Sequence, residues 1–169
     1  QGMKQAPILT NLSHSVLSNY LKTFIGSPAA TQPGSTMPDL LHGKSDQSRE
    51  QIATALTAFL HAQTGHHTPA QPKTKPDKRQ GRELFHEVGC VACHSPINQT
   101  GSETDTSGSR SLTHIKTKYT TEGLASFLFE PLKTRPSGRM PDMKLTRSEA
   151  ANITAFLLGS PVEQEAAPA

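Results

Sequence analysis

Residues 89–96 read GCVACHSP and hold the chain's only two cysteines. Cys90 and Cys93 stand three apart, and His94 follows at once. Three chemistries use such a pair. A structural zinc ion needs four ligands, usually two Cys pairs or a Cys pair and a His pair. Here there is one Cys pair, and the adjacent His66 and His67 are badly spaced to share an ion with it. A redox dithiol of the thioredoxin kind opens a helix after a strand, whereas a helical pattern precedes Cys90 and no strand pattern surrounds it. The third chemistry is covalent haem attachment. Two thiols three apart can add to the two vinyl groups on one porphyrin edge, and the next imidazole then faces the iron.

Composition agrees with a large apolar cofactor. Only 33% of the 169 residues are apolar, there is no Trp, and there are 13 Pro. Globular chains usually reach about 45–50%, counting Gly, so this chain is lean in core-forming side chains. The formal charge of +3 is mild. Its one basic cluster, Lys73 to Arg79, is studded with prolines and reads as a linker, not as a nucleic-acid stripe. No apolar run approaches the ~18 residues of a membrane span. The opening QGMKQAPILT lacks the basic and apolar regions of a signal peptide, so the expectation is a processed chain or an excised fragment.

Outward from the octet, the signals are helical. Asp77 with Gln80 predicts a capped helix over 78–87, stopped by Gly89. Thr120 predicts a cap for 121–129, where Leu124, Phe127 and Leu128 share a face. Thr146 with Glu149 is a capping box opening a helix to Leu158, before Gly159 and Pro161. Ser48 is the expected cap of a helix over 49–63. No convincing alternating strand occurs, so the expected class is all-α. Met140, in the loop PSGRMP, is the expected second axial ligand, because Pro and Gly let a loop cross the far haem face. Its thioether is a neutral ligand that raises the potential. Met143 is the rival, a gap-filling core role is the plain alternative, and His86 and His114 are the bis-histidine alternatives. His86 is expected at the surface of its helix and His114 in a loop.

The Pro-rich stretch 65–77 divides the chain into a first region, 1–64, and a second, 78–162, followed by a tail, 163–169. Shifted by 103, residues 9–40 align without a gap onto 112–143, with Leu9, Leu21, Phe24, Pro28, Met37, Pro38 and Asp39 among the identities. After a six-residue slip, Ala58-Phe59-Leu60 matches Ala155-Phe156-Leu157. The pattern is that of an internal duplication. The first copy has a Met loop and a last helix but no Cys-x-x-Cys-His. Residues 1–8 show no counterpart of the helix over 78–87. Its bare face is therefore expected to pack on the second domain, with Met37 a turn-and-core residue; the alternative for Met37 is a distal ligand without a haem, which requires a haem motif upstream of Gln1.

Gly81-Arg82-Glu83-Leu84-Phe85, Cys90 to His94, Gly138 to Pro141 and the last helix together resemble a class I cytochrome c domain over about 78–160. The longer run from Tyr119 is similar to the haem region of large multidomain planctomycete-type cytochromes, which carry further domains. The resemblance implies an all-α cytochrome c-like domain preceded by a partial, haem-free repeat. It implies one haem c per chain, bound through Cys90 and Cys93 with His94 and Met140 as axial ligands. It suggests that Gly81, Leu84 and Phe85 pack against Ala155, Phe156 and Leu158. Tyr119, Arg135 and Arg139 are candidates for the haem propionates, each otherwise a solvent-exposed side chain. The expected function is electron transfer with a redox partner protein in a periplasmic or other extracytoplasmic compartment, with no catalysis of its own. The alternatives are a haem-based ligand-binding or regulatory module, a cytochrome subunit of a redox enzyme, or an interaction module.

Overall fold

The computed structural model describes residues 9, 12–63, 75–98, 102–104, 108–136 and 138–159. The chain divides into two compact units, one of Ile8–Thr68 and one carrying Pro69–Ala169. Most of the expected linker and all of the expected tail lie outside the described residues. Among the described residues the secondary structure is helical, with two isolated bridges, His94 with Arg110 and Ile97 with Glu103.

The first unit holds α1 (Leu12–Ser15), α2 (Ser18–Gly26), α3 (Pro28–Thr31) and α4 (Asp46–Ala62). Its small core is Leu12, Leu21, Ile25 and Ala53, where α2 packs on α4. Ser45, not Ser48, caps α4: its hydroxyl accepts from the Ser48 amide at 3.3 Å. The Ser48 hydroxyl is one turn inside and bonds to Ser45 Oγ. With Asp46 in the first turn, the earlier start also places a carboxylate at the positive end of the helix dipole.

The second unit holds α5 (Lys78–Glu87), a 3-10 turn (Cys90–Ala92), α6 (Ile115–Lys118), α7 (Thr121–Phe129), α8 (Pro131–Thr134) and α9 (Arg147–Leu158). Its core gathers Phe85, Ile97, Ile115, Tyr119, Leu124, Leu128, Leu145, Ile153 and Leu157. The main packing is α5 across α9, with α7 also against α9. Thr120 and Thr146 cap α7 and α9, and Glu149 completes the capping box by accepting from the Thr146 amide at 2.8 Å.

The start of α5 differs from a capping box. Asp77 accepts from the Arg79 and Gln80 amides, but its own amide donates to Asn152 Oδ1 at 2.8 Å. The Gln80 side chain instead accepts from Asn152 Nδ2 at 2.7 Å. Buried Asn152 thus ties the start of α5 to α9 and satisfies itself in doing so. Gly81 lets the two helices touch, since a Cβ there would lie 1.9 Å from the Asn152 carbonyl oxygen. Its partner is therefore the Asn152–Ile153 backbone, while the Phe85 ring meets Phe156 at 5.7 Å.

Helix bounds in the two units coincide at the offset of 103. The bounds of α1, α2 and α3 become those of α6, α7 and α8. Ser27 and Glu130, the residues between the second and third helix of each set, have closely similar backbone angles, and Thr31 and Thr134 each donate a hydroxyl back to that residue's carbonyl.

Candidate haem site

The segment 89–94 is built by local rules. Gly89 ends α5 with φ of 94°, a left-handed turn that glycine adopts without strain. The chain then winds one tight turn, with the Cys93 and His94 amides both donating to the Cys90 carbonyl at 3.2 and 3.0 Å. Both thiols are free, Cys90 half-buried and Cys93 exposed, and burial pushes the Cys90 thiol up.

The return segment Gly108–Ser111 clamps this turn. The Arg110 amide donates to the Cys93 carbonyl at 2.8 Å, and the Ser95 amide donates to the Arg110 carbonyl at 3.3 Å. The same carbonyl lies 3.2 Å from His94 Nδ1. A carbonyl oxygen only accepts, so Nδ1 carries the proton, and in the neutral ring Nε2 is then the nitrogen with the free lone pair. That is the arrangement of a metal-binding imidazole whose outer nitrogen is held by the backbone. Arg110 acts through its main chain, so no side-chain pattern could have singled it out.

The Met loop lies between α8 and α9. Met140 and Met143 are both half-buried and pack on the core of the unit. The Met143 methyl comes near Gly89, 3.9 Å from where a Cβ on that residue would stand. Asp142 closes a local turn by accepting from the Lys144 amide at 2.9 Å, and the Lys144 ammonium holds its carboxyl below the usual range. Asp39 makes the same turn in the first unit through the Leu41 amide, at 3.0 Å, with Arg49 as its charge partner. The recurring Met-Pro-Asp triplet therefore has a local structural reason in its Asp.

Tyr119 and Arg135 come together. Tyr119 is buried and stacks on Phe127 at 6.1 Å, and the Arg135 guanidinium lies 5.8 and 5.6 Å from the two ring centroids. Burial pushes the Tyr119 hydroxyl up. Lys118 joins the cluster, with its ammonium 5.4 Å from the Tyr119 ring. Burial, then the Arg135 charge, brings its pKa down to about 8. The sequence reading missed Lys118 because a lysine among Thr and Lys neighbours looks solvated. Arg139 is exposed and stands outside this cluster.

The histidine alternatives have other positions. His86 is half-buried, not a surface residue. Its ring packs against Phe85 and Phe156, and Nδ1 bonds its own helix at the Arg82 carbonyl, 2.8 Å away. His114 is exposed at the start of α6. Met37 is not a core residue: it is 36% exposed on the wall of an open groove.

The residues suit a covalently held haem on three counts. The thiols are free, the imidazole presents one bare nitrogen, and Val88, Val91, Leu112, Phe127, Met140 and Met143 pack on the core yet stay only half-buried. An apolar macrocycle is what such a lining lacks. Among the described residues, no group of three or more His, Cys, Asp or Glu could hold a metal ion by itself.

Two crossing helices, a Cys-x-x-Cys-His turn between them in sequence, and a Met-bearing loop define an all-α domain of the c-type haem class. Residues 79–161, just under half of the chain, match the family model for cytochrome c, which supports a cytochrome c domain in the second unit. Such a domain implies covalent haem c and electron carriage. No curated protein and no solved structure matches the chain.

Proposed function

We propose that the second unit is a monohaem electron carrier, with haem c joined to Cys90 and Cys93 and axial ligands from His94 and Met140. The observation that carries this reading is the 3.2 Å contact of His94 Nδ1 with the Arg110 carbonyl, directly after the two thiols. When bound, haem supplies one-electron exchange at iron, with the potential set by ligands, hydrogen bonds and burial. The chain's own part would be to hold the group through Cys90, Cys93, His94 and Met140, leaving no free place at the iron for a substrate, and to keep water away with the apolar rim. Holding Nδ1–H on a carbonyl fixes the tautomer and the orientation of the imidazole. Arg135, with Tyr119 beside it, and Arg139 are the candidate partners of the propionates.

Met140 is preferred over Met143 because it precedes Pro141 in the Pro/Gly-rich loop, whereas the Met143 methyl lies beside Gly89 on the Cys-turn side. The partner is a redox protein, and the address is periplasmic or otherwise extracytoplasmic, because that is where covalent haem attachment takes place. Among the described residues, no helix is long and apolar enough to cross a membrane. The coincident helix bounds and shared Asp turn support reading the first unit as a duplicated copy without the haem motif. The run from Tyr119 through the last helix supports kinship with multidomain planctomycete-type cytochromes.

The test is the absorption spectrum of protein made with haem-attachment machinery. A sulfur-to-iron charge-transfer band in the ferric state is expected, lost in Met140→Ala and kept in Met143→Ala. No such band, with rapid CO binding to the ferrous form, would instead indicate a ligand-binding or catalytic module.

A further inference from the structure

Helices α4 and α9 share a register at an offset of 97. Ala53 and Ala150 are both buried, as are Thr57 and Thr154, and each Thr hydroxyl donates to the matching Ala carbonyl at 2.8 Å. The neighbouring face is treated differently. Ile153 is 0% exposed, whereas its register mate Leu56 is 42% exposed, and Phe59, the mate of half-buried Phe156, is 59% exposed. On α9 this face is covered by α5, with Gly81 against the Asn152–Ile153 backbone and Phe85 against Phe156. On α4, among the described residues of the first unit, the packed helices are α1 and α2. The bare face forms one side of an open groove of about 230 Å³, walled by Ile25, Met37, Leu40, Leu56, Phe59 and Leu60.

We propose that this groove docks one amphipathic helix from a partner protein, of the chemistry that α5 displays. Such a helix has a small residue where the backbones cross, a Leu-Phe pair three and four residues on, and a charged outer face. Size favours a single helix. The exposed parts of Met37, Leu40, Leu56 and Phe59 amount to roughly 400 Å², within the span of functional apolar patches on monomers. A stable dimer between copies of this chain would need roughly 800 Å² from each. One face of a two- to three-turn helix, carrying apolar residues at i, i+3 and i+4, fits the smaller area. Leu40, 77% exposed, stands at the groove edge where such a helix would cover it. The inference uses the groove and the register of α4 with α9, and it is independent of haem in the second unit.

The experiment is a methyl and aromatic NMR titration of the full haem-loaded chain with a helix-stabilised synthetic peptide of sequence DKRQGRELFHEVG, residues 77–89. Saturable shifts at Leu40, Leu56 and Phe59 are expected, with binding at least tenfold weaker in Phe59→Asp and in a peptide carrying Phe85→Asp. Phe59 is exposed, so Phe59→Asp should keep the helical content of the parent. Four results would overturn the proposal. One is no shift at Leu56 and Phe59 with millimolar peptide, and another is shifts confined to α9. The others are groove contacts, in the free protein, with the chain's own second unit or with a second copy in a concentration-dependent dimer. Because the readout sits in the first unit, its failure is distinct from any failure to find haem.

Discussion

α9 and α4 share a register at an offset of 97 and differ in what packs on them. Both bury an Ala and a Thr at matching positions, with the same hydroxyl-to-carbonyl bond. On α9 the next face lies under α5; on α4 that face is open and carries Leu56 and Phe59. The residue types on the two faces hardly differ, so burial there is decided by the partner and not by the helix itself. The partner also explains the exception. Where α5 is present, α9 carries Asn152, which bonds Asp77 and Gln80, and α4 has Ala55 at that register position.

Substitutions can break or sharpen this contrast. The largest effect is expected from Gly81→Ala, because the new Cβ would strike the Asn152 carbonyl, and backbone cannot give way as a side chain can. A loss of about 3 kcal/mol or more is expected in the unfolding of the second unit. Survival at parent stability would mean that the helices are not in contact there. Phe85→Ala should cost about 3–5 kcal/mol, read from hydrogen exchange of α9 amides, whereas Phe59→Ala should stay within about 0.5 kcal/mol in α4. Next comes Ile153→Ala, at about 2–4 kcal/mol, set against Leu56→Ala at under about 1 kcal/mol. Equal costs within either pair would remove the contrast.

The smallest contrast lies at the caps, where the two helices should behave alike. Thr146→Ala and Ser45→Ala should each cost about 1 kcal/mol. At Thr146 the cost should depend on pH. The Thr146 amide, then its hydroxyl, holds the Glu149 carboxyl below its ordinary 4.5. A depressed carboxylate gives its stabilisation in full above the unfolded value and loses it as pH falls through the folded one. The penalty of Thr146→Ala, followed by thermal unfolding, should therefore shrink on acidification below 4.5.

Much of the second unit was legible in the sequence. Caps, glycine stops and apolar spacing marked α5, α7 and α9 because each device acts within a few residues of the chain. The single-turn helices α6 and α8 carry no period long enough to read. Ser45 and Ser48 each offered a hydroxyl, and only the path of the preceding loop decided between them. At the candidate site, Cys90, Cys93 and His94 stand out in the sequence because their spacing is itself the chemistry proposed for them. Arg110 was not, since it serves through its carbonyl, and Asn152 was not, because its partners lie 72 and 75 residues away. The stacking of Arg135 on Tyr119 and Phe127 likewise joins residues that no local pattern relates.

The central claim is that the Cys90–His94 turn holds the chain's one haem and the first unit holds none. Intact mass of the purified chain, with peptide mapping and a pyridine haemochrome spectrum, tests it most directly. The account predicts the mass of one haem added to the peptide containing Cys90 and Cys93, with one equivalent of haem c per chain. Two free thiols in protein made with haem-attachment machinery, or a second equivalent of haem held by the first unit, would contradict it.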